Sequence, residues 1–533
     1  MVLNVKRSVI NRTRGCGVSA VAQAQETAVR PRKRAGKAGP TLVAVALASV
    51  LLPLSTTGPA VALPRLATAV HAGNGAAQWV QNAYGVTFAA CLLAAGGLAD
   101  RFGRRRVLLW GVITFMAMSA LSALADDIVV IDVARAVQGI GASGILTSGA
   151  AVFGAAFTGR ARARAFGVLG ASFGFGLALG PLVAGALVNA TGWRGVFWMN
   201  VVLGAVVLFL IPNIAESRDP GAGRVDWAGL LTFSASLFCV ALVFVEGPAH
   251  GWTSAEVITS LVLAAAFMAL FVVAELRVAR PMFDLTLFRR PTFIVVVCQP
   301  FTITFGFVVL LIYLPQYFQG VGSHSATASG ALLMPLTLPV LVLPLALSRI
   351  ADRMPLRVLL ALSSVLITVG SLWLLVLRPD SGAQLIGPLL VFGTGVGSAF
   401  GIMDNAAVSV VPPERSGMAS GIFNTMRITG ESIAIAAAGG FLTSVTASKI
   451  AGRVPGAGRS AAALAGDAVQ GRLPATSHAV RGVVTDGLTS ALHLAFVLLA
   501  ALALTGAAVT FFVIRERDLD HQRADDQQKG STS

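Results

Sequence analysis

"GGLADRFGRRRVL" (residues 96–108) and "SRIADRMPLRVLL" (348–360) carry one signal in two copies. At an offset of 252 they share Ala99/Ala351, Asp100/Asp352, Arg101/Arg353 and Arg105/Arg357. Each copy ends one long apolar block and opens the next. Fourteen such blocks run along the chain, at roughly 42–64, 77–98, 107–125, 129–154, 165–188, 195–213, 226–246, 256–275, 292–318, 328–348, 356–377, 383–410, 421–444 and 489–514. Most are near the ~20 residues that a helix needs to cross a bilayer. None shows the period-2 alternation of a barrel strand, so helix is the remaining way to satisfy the backbone in lipid. The copies follow the second and tenth blocks, which makes the repeat step eight helices. Two six-helix halves related by a parallel repeat, with two extra helices between them (226–246 and 256–275), account for the count.

Composition agrees with this reading. The 533-residue chain is 55% hydrophobic and only 12% charged, about half the charged share of a soluble domain. Its net charge of +16 would suggest nucleic acid in a soluble protein; here the placement of the charge argues against that. With both termini inside, 30 of the 40 Lys and Arg fall on inside segments, and five of the rest lie in one long outside stretch. This is the positive-inside bias of a multi-pass protein of the cell membrane with both ends cytoplasmic. The expected division is a basic cytoplasmic tail without fixed structure (1–40), an N-terminal six-helix bundle (41–215), the inserted pair (216–280), a C-terminal six-helix bundle with a long outside loop at 445–488 (281–515), and a cytoplasmic tail (516–533). The four Cys and six His are scattered, with no disulfide framework and no metal-ligand spacing. No metal, cofactor or catalytic residue is expected, and a membrane enzyme is disfavoured. A monomer in the lipid bilayer is expected.

Three patterns bear on function. In the loop at 96–108, Gly96, Asp100, Arg101, Gly103, Arg104 and Arg105 place an acid before clustered cations at a helix–loop–helix junction. Such an acid can pair across the loop and with a helix N-terminus, forming a latch that one conformation holds and another releases. Asp352 and Arg353 supply the second copy. In "VARAVQGIGASG" (133–144) Arg135 lies inside the fourth helix, where a charge is costly unless it meets a cavity or a partner. Gln138 is one turn on, Gly139 lets a neighbour approach, and Asp132 at i−3 can neutralise the charge. In "GFGLALGPLVAG" (174–185) Gly176, Gly180 and Gly185 make a small-residue face and Pro181 bends the helix.

Together these motifs resemble those of the major facilitator superfamily, specifically its fourteen-helix drug:proton antiporters. The resemblance covers about 41–515 and includes "QWVQNAYGVTFAACLLAAGGLADRFGRRR" (78–106), "GWRGVFWMN" (192–200), "YLPQYFQGVG" (313–322) and "PPERSGMASGIFNTMR" (412–427). It implies an all-α exporter working by alternating access, with a central site near the midplane and protons exchanged for a small amphipathic drug, antibiotic or metabolite. An exporter of one metabolite with altered or no proton coupling, and an importer of the same fold, are the alternatives.

The chain departs from that family at one telling place. Members of that family commonly carry an acid midway along the first helix; here "LLPLSTTGPAVALP" (51–64) has Ser55 at that position, although Thr57 matches. Serine cannot titrate in the useful range, so proton coupling shifts to other intramembrane acids: Asp404 (helix 12, beside Asn405), Glu431 (helix 13, i+4 from Arg427) and Asp132. Ser55, Thr57, Trp79, Tyr84, Tyr313, Gln316, Asn405 and Arg427 are the candidate cavity residues.

Overall fold

A computed structural model describes residues 38–157, 159–218, 226–278, 285–347, 354–409, 416–454, 458–473 and 478–514. Residues 1–37 of the N-terminal tail, the C-terminal tail, Asp352 and Arg353 lie outside the described residues, residues 38–40 already belong to the first helix, and of Asp404 and Asn405 only the backbone is described. The spanning helices are α1 (Ala38–Ala69), α2 (Asn74–Phe102), α3 (Arg104–Leu124), α4 (Ile128–Ala156), α5 (Gly159–Thr191), α6 (Arg194–Leu210), α7 (Trp227–His250), α8 (Ala255–Arg277), α9 (Pro291–Gly320), α10 (Ala326–Leu332 with Met334–Leu347), α11 (Leu356–Trp373), α12 (Ile386–Ser409), α13 (Ser416–Arg453) and α14 (His478–Val513). Among the described residues, twelve helices are long and apolar enough to span. Counting the bent pairs Ala76–Leu92 with Ala94–Phe102 (52°) and Ala326–Leu332 with Met334–Pro344 (48°) as one span each gives fourteen.

Side chains from the loops start several of these helices. Asp127 Oδ1 accepts from the amides of Val129 (2.8 Å) and Val130 (3.2 Å) at the head of α4. Asp226, Ser254 and Ser325 cap α7, α8 and α10 in the same way, each satisfying amides that the helix itself leaves without partners.

The sequence repeat reappears as packing. In the N-terminal half α2 and α3 pack on α4, α1 on α5, and α3 on α6; in the C-terminal half α10 and α11 pack on α12, α9 on α13, and α11 on α14. Each pairing recurs eight helices later. The halves meet through the equivalent contacts α5–α10 and α2–α13, and through α1–α9. The inserted pair α7–α8 packs on α2 and α13 through α7. Trp79 stacks on Phe238 (5.4 Å between ring centroids), and Trp252 Nε1 donates to Ser444 Oγ at 3.1 Å. Much of 445–488 is helical: α13 continues to Arg453, a short helix covers Gly458–Val469, and α14 begins at His478.

The hydrogen bonds between halves hold the end of the bundle opposite residues 38 and 514, called the distal end. Asn189 Nδ2 donates to Thr327 Oγ1 (2.8 Å), Gln319 Nε2 to the Val61 carbonyl (3.0 Å) and Arg472 Nη1 to the Ala72 carbonyl (3.2 Å). Thr337 Oγ1 donates to the Ala178 carbonyl at 2.8 Å, nearer the middle.

Candidate functional site

The helix-4 arginine is fully buried. Its Nε donates to the Val80 carbonyl (2.8 Å), Nη1 to Ser55 Oγ (2.8 Å) and Gln138 Oε1 (2.7 Å), and Nη2 to the Ser55 carbonyl (2.9 Å). The guanidinium also lies over the Tyr84 ring, 4.2 Å from its centroid. Every one of these partners is neutral. The reason the Ser55 carbonyl is available lies four residues on: Pro59, inside α1, has no N–H. An α-helical carbonyl at i−4 from proline has no intrahelical donor, and in a membrane it must find one elsewhere. Arg135 supplies it. Asp132, half-buried one turn distal, has an Oδ1 without a hydrogen-bond partner among the described residues.

Glycines bring the helices this close. A β-carbon at Gly139 would overlap Thr87 Oγ1 and the Tyr84 carbonyl; at Gly176, the Pro53 ring; at Gly180, Thr57 Oγ1; and at Gly185, the Ala326 carbonyl. Gly176 and Gly180 thus seat α5 on α1, whereas Gly185 seats it on α10 across the halves. Thr57 bonds its own helix at the Pro53 carbonyl (3.0 Å).

At the loop between α2 and α3, Asp100 Oδ1 accepts from Arg104 Nη2 (2.8 Å) and Nε (3.1 Å), and Arg104 Nη1 reaches the Ala151 carbonyl on α4 at 3.3 Å. Gly103 turns the chain at φ +112°, a conformation that favours glycine. Glu216, which the sequence reading did not single out, joins this loop from beyond α6. Its Oε1 accepts from the Arg105 amide (3.1 Å) and its Oε2 lies 3.8 Å from Arg106 Nε. Arg101 is exposed and lies over Phe102. A β-carbon at Gly96 would have no neighbour within 4 Å.

A cavity lies between the halves, walled by α1, α2 and α5 on one side and by α9, α12 and α13 on the other. Leu52, Pro53, Thr56, Gln81, Tyr84, Gly85, Phe88, Phe173, Leu177, Phe307, Val308, Leu311, Phe400, Ile428, Glu431, Ser432 and Ile435 line it. Among the described residues, its one carboxylate is that of Glu431. Arg427, a turn before on α13, is buried and reaches the same wall, its guanidinium 5.6 Å from the Phe173 ring centroid and 5.9 Å from that of Phe400. As it stands, the space has room for little more than a few waters.

Of the candidate cavity residues, Tyr84 lines the space and Arg427 stacks on its wall. Ser55 and Thr57 are turned to Arg135 and α5. Trp79 packs on the inserted pair. Tyr313 donates its hydroxyl to the Ile435 carbonyl at 2.6 Å, and Gln316 is buried at the distal end of α9 with its Oε1 unpartnered among the described residues. The sequence reading passed over Gln81 and the four phenylalanines.

Two six-helix halves with a repeat step of eight, an inserted pair and a cavity where the halves meet define a transporter of the major facilitator type. The Major Facilitator Superfamily model matches residues 45–435, and the chain belongs to that superfamily. Among characterised relatives it is similar to the multidrug resistance protein Stp of Mycobacterium tuberculosis, 33% identical over 404 residues and 75% of each chain. It is also similar to the tetracenomycin C resistance and export protein of Streptomyces glaucescens, 30% identical over 500 residues, 90% of this chain and 92% of that one. A bacterial homologue of the human lysosomal transporter Spinster, solved in an inward-facing and occupied conformation, shares the fold. Its TM-score is 0.60 at 15% identity, covering 90% of this chain and 97% of that one.

Proposed function

We propose that this protein exports small amphipathic compounds in exchange for protons, by alternating access of the two halves, with Glu431 carrying the proton. The observation that carries the proposal is the cavity: mostly apolar and aromatic, shared by both halves, and holding, among the described residues, a single carboxylate beside a buried arginine. Burial favours the protonated form of any carboxylate, while a nearby cation favours the ionised one, so opening and closing the halves around such a group can load and release a proton. The export direction is supported by the names of the relatives. The narrowness of the cavity supports a cycle in which the halves part to admit substrate, and the distal hydrogen bonds between halves are those that would break when the outside opens. With both termini cytoplasmic, the distal end is the outer one. Ser55 in place of a helix-1 acid leaves Arg135 in a neutral cage, which concentrates proton coupling on the C-terminal half.

The test uses membrane vesicles with an imposed pH gradient. Glu431→Gln should abolish gradient-driven transport while leaving substrate exchange at equilibrium. Asp404→Asn tests the remaining acid on α12. Full gradient-driven transport in Glu431→Gln would overturn the assignment, and its loss in Asp404→Asn alone would move the proton to α12.

A further inference from the structure

Gln81 is 3% exposed and lines the central cavity, yet both its Oε1 and its Nε2 lack a hydrogen-bond partner among the described residues. The other hydroxyls on the wall are already engaged. Tyr84 donates to the Leu52 carbonyl (3.3 Å), Thr56 to the same carbonyl (3.3 Å) and Ser432 to the Ile428 carbonyl (2.9 Å). Helix contact fixes where the amide sits. At Gly85, one turn along α2, a β-carbon would lie 2.9 Å from Ser432 Oγ, so α2 and α13 touch there and Gln81 stands at the distal side of that contact. A side-chain amide offers an acceptor and a donor along one planar edge. Leaving both unmet inside a membrane protein is costly, and such a group calls for a ligand or a water. The surrounding wall is aromatic: Phe88, Phe173, Phe307 and Phe400.

We propose that Gln81 is a substrate-orienting residue that selects aromatic compounds carrying a hydrogen-bond donor next to an acceptor, an aromatic carboxamide being the simplest case. The amide edge of Gln81 pairs with that group while the phenylalanines cover the ring. This names a substrate class for the cavity and rests on the transport reading above. The discrimination follows from the unmet pair: a ligand of the same size lacking the donor leaves the Gln81 carbonyl without a partner, a difference of about tenfold or more in affinity.

The test is fluorescence titration of the full chain in nanodiscs with 2-naphthamide and with methyl 2-naphthoate, which keeps the ring and acceptor and lacks the donor. The affinity ratio of the two probes is compared between wild type and Gln81→Leu, so that partition into lipid cancels. The ratio should fall about tenfold in the variant through loss on the amide, with the ester bound within about twofold of wild type. Gln81→Met, close in shape, takes its place if the leucine variant does not fold. An unchanged ratio, or no saturable binding of either probe to wild type, overturns the proposal. Transport of 2-naphthamide along a pH gradient is read separately. If the ratio shifts and no gradient drives transport, the Gln81 site stands and the proton-coupled reading falls.

Discussion

Replacing Arg135 by methionine removes a buried charge and four hydrogen bonds at once, so the single variant sums opposing terms. Losing hydrogen bonds from a charged donor costs about 1.5–3 kcal/mol each, whereas removing a charge from the interior recovers its desolvation penalty. The coupling to Pro59 is cleaner. Without Arg135 the Val80 carbonyl keeps the i+4 amide of its own helix, and the Ser55 hydroxyl can turn. The Ser55 carbonyl, bonded to Arg135 Nη2 at 2.9 Å, is left with nothing, because residue 59 is proline. Its stranding costs about 1–3 kcal/mol. Pro59→Ala supplies an N–H at the right position, so it should be more favourable by that amount in the Arg135→Met background than in wild type. Reversible unfolding of the purified protein in mixed micelles, titrated with SDS for wild type, both single variants and the double variant, measures the coupling. Additivity within about 0.5 kcal/mol would refute the reasoning that the proline creates the arginine's binding site.

Three further outcomes are expected. Gly103→Ala forces a side chain onto φ +112° with its β-carbon 2.6 Å from Glu216 Oε1, and should cost about 1–3 kcal/mol in the same unfolding assay; a change below about 0.5 kcal/mol would show that the loop is not tightly held. Gly185→Val drives its side chain into the Ala326 carbonyl, so it should part α5 and α10 at the distal end; a thiol reagent added from outside should then label a cysteine placed at Thr327 faster, and unchanged labelling would count against a distal seal. Asp467, which pairs with Arg472 at 2.7 Å outside the spanning helices, has its carboxyl pushed up by burial against the opposing pull of Arg472. A raised folded value means its contribution is present below the unfolded value of about 3.9 and is lost as pH rises through the folded one. Asp467→Asn should therefore flatten part of the decline in stability above about pH 4, and an identical pH profile in the variant would contradict this.

The fold was legible because lipid narrows the choices. Blocks of about twenty apolar residues must be helices, and the copied Ala-Asp-Arg signal at Asp100 and Asp352 gave the repeat step that the packing repeats pair for pair. Helix orientation was another matter. In a soluble bundle the apolar stripe marks the inner face; here the lipid-facing and core-facing sides are both apolar, so nothing in "QWVQNAY" says that Trp79 turns to the inserted helices while Gln81 turns to the cavity. That choice is made by contacts far away in the chain, such as Gly85 on Ser432. Glu216 was equally hidden, since its role depends on the end of α6 returning to the loop after α2.

Ser55 was read as an absence, the place where an acid is missing. The structure makes it a contact, and the sequence held the clue in a different residue: proline at 59 orphans the carbonyl at 55, and a guanidinium three helices on fills it. A neutral hydroxyl beside that carbonyl then completes the cage without adding a charge. An aspartate at 55 would bind Arg135 more strongly and would also tie that contact to pH; serine holds the helix-1 to helix-4 contact with a group that does not itself titrate. On the proposed reading Glu431, in the C-terminal half, carries the proton, while the Arg135 cage lies in the N-terminal half, and Tyr84 touches both the cage and the cavity.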